Sequence, residues 1–133
     1  MDNHGIRWLR ISYWIGATVD FIAGWIMLVP ALFVFMNQPA VFHPADEYRY
    51  AMGMGAPLMF GWTLLLLWAD RKPLERKAIL PITLLVILGE IITQVWGVSV
   101  GYVPLDAVAS TFIIQAVLVS LFCFAYFKAR RES

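Results

Sequence analysis

Four apolar stretches, each long enough to cross a lipid bilayer and joined only by short links, decide what this chain can fold into. The first runs from Ile11 to Phe35, broken only by Asp20 and Pro30. At the helical rise its length is ~37 Å, enough for a ~30 Å hydrocarbon core with some tilt. The second opens on Pro44-Ala-Asp-Glu, a helix start with proline in the first turn and acids at the positive end of the dipole. It continues to Trp68, with a bend expected at Pro57. The remaining two cover about 78–100 and 104–127, the last carrying Asp106 in its first turn.

Hydrophobic residues make up 61% of the 133 positions and charged residues 14%. A soluble domain of this length has too much surface for its volume to bury that apolar fraction. The expected fold class is therefore an all-α integral membrane protein, a four-helix up-down antiparallel bundle forming a single domain over residues 1–133. Its spans are expected at about 11–35, 45–68, 78–100 and 104–127. The links from Asn37 to His43, from Asp70 to Lys77 and from Gly101 to Val103 are short, and short links make neighbouring helices antiparallel. The first stretch is too long for a signal-peptide core, and no small-x-small cleavage site follows it, so it is expected in the mature chain.

The basic residues orient this frame. Arg7 and Arg10, then Arg71, Lys72, Arg76 and Lys77, then Lys128, Arg130 and Arg131 share one face in a four-span chain; only Arg49 lies on the other. With nine of ten basic residues on one side, both termini are expected in the cytoplasm. The aromatics fit the same frame: Trp8, Tyr13, Trp14, Trp68 and Tyr126 fall near the inner interface, and Tyr48, Tyr50 and Tyr102 near the outer one. The net charge of +1 gives no electrostatic footprint for nucleic acid. Cys123, alone in the last span, can form no intrachain disulfide and reads as an apolar filler.

Asp20 and Glu90 are the residues that ask for a function. By helical rise they lie ~13 Å and ~18 Å from the cytoplasmic ends of their spans, close enough in depth to meet. A carboxylate is costly in hydrocarbon, so each should point into the bundle or a wet cavity. Tyr13, Gly16, Ala17, Asp20, Ala23, Gly24 and Met27 form one stripe, and Gly16, Asp20 and Gly24 recur every four residues, which admits a close backbone. Thr83, Ile87, Glu90, Gln94, Gly97 and Gly101 form a second stripe, while Thr111 and Gln115 lie one turn apart on the last span. No lysine, arginine or histidine lies inside a span, so at least one acid is expected to stay protonated or to share its proton.

These residues predict a pocket for a proton or a small lipophilic cation, with Asp20, Glu90, Gln94, Gln115, Thr111 and Tyr13 as its candidate ligands. The bland reading is a neutral carboxyl hydrogen-bonded to a glutamine, threonine or tryptophan that only holds the helices in register. Expected partners are membrane lipids, a lipophilic ligand, and further copies of the chain or a larger membrane complex. A structural accessory subunit of such a complex is the alternative function, and an enzyme modifying lipid or sterol ranks third, since no nucleophile accompanies the acids.

No cofactor or metal is expected. His43, Asp46, Glu47 and Asp106 match no metal spacing, and acids at helix starts are already explained by the dipole. His4 and His43 lie outside the spans, which rules out haem held by two intramembrane histidines. The 70–77 link reads as a topology anchor able to touch anionic headgroups. No family is assigned. Asp20 is only a loose counterpart of the helix-one glutamate of small multidrug-resistance transporters, and Cys123 alone cannot supply the redox cysteines of vitamin K epoxide reductase-like proteins. The acid pair is similar in kind to the pocket of sterol-isomerase and sigma-2-receptor-like proteins, without a motif shared residue by residue.

Overall fold

The computed structural model describes residues 4–37 and 45–131. Among the described residues all regular structure is helical: α1 (His4–Leu28), α2 (Pro30–Asn37), α3 (Asp46–Asp70), α4 (Ile79–Ser99) and α5 (Leu105–Arg131). The four helices other than α2 are long and apolar enough to cross a membrane.

The first apolar stretch differs from the single span expected for 11–35. It begins earlier, at His4, and breaks at Val29 into α1 and α2. Pro30 is the cause: it has no N–H to give, and within a continuous helix its ring would collide with the carbonyl of Ile26. Instead it opens α2, where a missing N–H costs nothing. Val29 still donates its N–H to Trp25 O at 3.0 Å, and Leu32 N–H reaches Val29 O at 2.8 Å across the break. Pro57, by contrast, is accommodated within a helix assigned without interruption from Asp46 to Asp70.

The other ends follow from local chemistry. At the end of α4, Gly101 adopts φ 78°, a left-handed conformation that glycine enters without a Cβ clash. The Tyr102 N–H then reaches Gly97 O at 2.9 Å and the Gly101 N–H reaches Val98 O at 3.1 Å. This doubled bonding is a Schellman motif, and its usual apolar contact is supplied by Trp96 and Tyr102, edge to face at 5.4 Å. Helix α5 starts with Asp106 bonded to the Ala107 N–H at 2.9 Å and ends with Lys128, Arg130 and Arg131 against the negative end of its dipole.

Helix α1 is the hub, packing chiefly against α3 and α5, while α4 packs chiefly against α5. Its partners on α3 come in falling order: Arg10 meets Asp70, Gly16 meets Leu66, Ala17 meets Thr63 and Gly24 meets Phe60. The glycines set the spacing. A Cβ on Gly16 would lie 2.8 Å from Phe122 and 2.9 Å from Leu66, and one on Gly24 would lie 2.7 Å from the Phe60 ring. Leu9, Tyr13, Leu66, Leu80 and Phe122 are wholly buried and form the core near the 71–78 link. Elsewhere the helices turn large apolar side chains outward, among them Leu58, Leu85, Ile92 and Ile113.

Candidate functional site

Beyond that core the helices part around a cavity of about 270 Å³ whose wall is drawn from all five of them. Helix α1 supplies Val19, Asp20, Ile22, Ala23 and Ile26; α2 supplies Met36; α3 supplies Met59 and Trp62. Helix α4 supplies Thr83, Val86, Ile87 and Glu90, and α5 supplies Thr111, Ile114, Gln115 and Leu118. Asp20 and Glu90 therefore stand on one wall, with no lysine, arginine or histidine beside them. Asp20 is placed there by the glycines on either side of it: Gly16 and Gly24 bring neighbouring helices close, and the carboxyl between them projects into the gap.

The polar groups of the wall divide into those with partners and those without. Gln115, only 4% exposed, donates its Nε2 to Glu90 Oε2 at 3.3 Å, joining α5 to α4. Trp62 donates its indole N–H to Thr83 Oγ1 at 3.1 Å, joining α3 to α4, and the Thr83 hydroxyl is given to Ile79 O at 2.8 Å. Asp20 Oδ2 and Gln115 Oε1 are buried acceptors with no hydrogen-bond partner. Buried polar atoms in folded proteins are nearly always bonded, so two orphans on one cavity wall need a reason.

Four of the six candidate ligands, Asp20, Glu90, Thr111 and Gln115, share this wall. Gln94 does not line it, although its Oε1 is also buried without a partner. Tyr13 belongs to another structure altogether. Its hydroxyl faces the carbonyls of Pro73 and Arg76, at 3.3 and 3.2 Å, and fastens α1 to the link between α3 and α4. Trp62 of α3 also joins the wall.

A second cluster of polar residues surrounds that link. Arg10 grips Asp70 with two bonds of 2.9 and 3.2 Å, and Trp14 adds an indole N–H to the same carboxylate at 3.2 Å. Arg76 lies 3.4 Å over the Trp68 ring and donates to the Trp68 carbonyl. These contacts turn a link that reads as a simple anchor into a braced cap over the core. A distal acidic site finds less support: Asp46 and Glu47 occupy the first turn of α3, and His43 lies outside the described residues. Among the described residues no group of three metal-ligating side chains gathers. Cys123 is a free, half-buried thiol.

Comparison of the chain with protein families, with characterised proteins and with solved structures finds no match.

Proposed function

We propose that this chain is a multi-pass membrane protein whose central cavity binds or transports a proton or a small lipophilic cation through Asp20 and Glu90. In this reading α1, α3, α4 and α5 cross the bilayer in up-down order, with both termini cytoplasmic. The falling order of α1–α3 contacts and the bias of nine of ten basic residues to one side support that arrangement.

The observation that carries the functional reading is the cavity of about 270 Å³ holding two carboxyl groups, one with an unpartnered buried oxygen, and no basic residue. A buried acid used only to lock helices together would have its oxygens bonded to neighbouring side chains. Glu90 meets that description in part, through Gln115; Asp20 Oδ2 does not. A cation entering the cavity would meet opposite charge in a low-dielectric surrounding, where such attraction is strongest.

The test is reconstitution of the full chain and of Asp20→Asn and Glu90→Gln variants in liposomes, with proton flux and binding of small amphipathic cations measured together. Loss of either signal in variants that remain folded supports the pocket. Folded variants with unaltered flux and unaltered binding would overturn it.

A further inference from the structure

We propose that the occupant of this cavity is a small aliphatic amine, bound as an ammonium with more than one free N–H, held between Asp20 and Gln115. The inference rests on the cation-pocket reading above and narrows it to a chemical class.

It follows from how the wall has spent its hydrogen bonds. The Gln115 side chain is buried, and its amide is oriented by the Nε2 bond to Glu90. That bond turns the other end of the planar amide, Oε1, away from Glu90 and leaves it without a donor. Asp20 Oδ2, on the opposing helix, lacks one too. The indole N–H of Trp62 and the hydroxyl of Thr83, which lie on the same wall, are already committed. With both acids ionised the wall presents acceptors in excess, and its missing partners are N–H or O–H groups carried by a bound molecule.

The two carboxyls decide between those. An alcohol or a water supplies hydrogens without charge, whereas an ammonium supplies several hydrogens together with the positive charge the wall lacks. Hydrogen bonds from a charged donor are also roughly twice as strong as neutral ones. A quaternary ammonium carries the charge but has no N–H, so both orphan acceptors would stay buried and unsatisfied. The rest of the wall is apolar, with Ile22, Ile26, Met59 and Leu118 to receive a hydrocarbon tail. The volume lies just below the ~300–1,000 Å³ of pockets that take drug-sized molecules, which restricts the occupant to a short chain.

The experiment uses the full chain in lipid nanodiscs and four probes with the same tail: hexylamine, N-methylhexylamine, hexyltrimethylammonium and hexanol. Binding is measured by titration calorimetry at equal membrane-bound probe concentration, with empty nanodiscs subtracted. Hexylamine and N-methylhexylamine are expected to bind comparably, and the quaternary salt and the alcohol about tenfold or more weakly, the cost of leaving acceptors unmet. A Gln115→Met variant, which keeps length and apolar volume, should lose most of the preference for hexylamine over the quaternary salt.

Equal binding of hexylamine and hexyltrimethylammonium would overturn the N–H requirement while leaving a cation pocket standing. Equal binding of hexanol would remove the need for charge and overturn the amine assignment. If none of the four binds, the amine assignment falls, and the pocket itself is then judged by the proton flux of the full chain against its Asp20→Asn and Glu90→Gln variants.

Discussion

The two halves of this helix assembly treat polar groups in opposite ways. Near the 71–78 link, beside a dense core, Asp70 is bonded to Arg10 across helices, Tyr13 to link carbonyls and Arg76 to the Trp68 carbonyl at the end of α3. Around the cavity, Asp20 Oδ2 and Gln115 Oε1 are buried without partners, and the helices stand far enough apart to leave a void. The first half is built for stability. The second gives stability up, a pattern expected where a protein binds something, because satisfied groups have nothing left to offer a ligand.

That contrast predicts opposite signs for substitutions in the two halves. The largest effect should come from Phe122→Ala, which empties the space beside Gly16 in the wholly buried core; unfolding in mixed micelles should show a loss of about 3 kcal/mol or more. Asp20→Leu should go the other way, raising stability by about 1–2 kcal/mol, since it replaces an unpartnered buried group with an apolar one, while abolishing amine binding. If Asp20→Leu instead unfolds the protein, the acid is a structural lock and the contrast collapses. Tyr13→Phe should cost about 1 kcal/mol by releasing the link carbonyls, with binding unaffected. Trp62→Phe should show the smallest stability change, about 0.5 kcal/mol, from loss of its bond to Thr83. Its tryptophan emission should also be the one that responds to added hexylamine, so an unchanged ligand-induced spectral shift in Trp62→Phe would place the ligand elsewhere.

Much of this was legible from the order of residues because lipid leaves few choices. Long apolar stretches with short links give long helices, and counting residues into a span gives depth; that is how Asp20 and Glu90 could be expected at one level. What the count does not give is where a cavity stops. Gln94 follows Glu90 by one turn and shares its face, yet the wall ends at Glu90. Tyr13 shares the Asp20 stripe by spacing, but its long side chain reaches the link carbonyls, an acceptor set formed only once α3 and α4 are in place. Pro30 and Pro57 were equally visible in the sequence, and only one of them breaks its helix. The Trp62–Thr83 bond joins residues on separate helices, so no local spacing announces it.

The glycines flanking Asp20 carry a consequence for how this protein can change over generations. At positions 16 and 24 the neighbouring helices press close, and any side chain there meets Phe122 and Leu66 or the Phe60 ring. An acid at either position would have to displace those residues before it could serve. The carboxyl on α1 can thus be exchanged for another group, or lost, more readily than it can move one full turn to either glycine position. Divergent descendants of this chain should differ in what stands at position 20 while keeping glycine at 16 and 24.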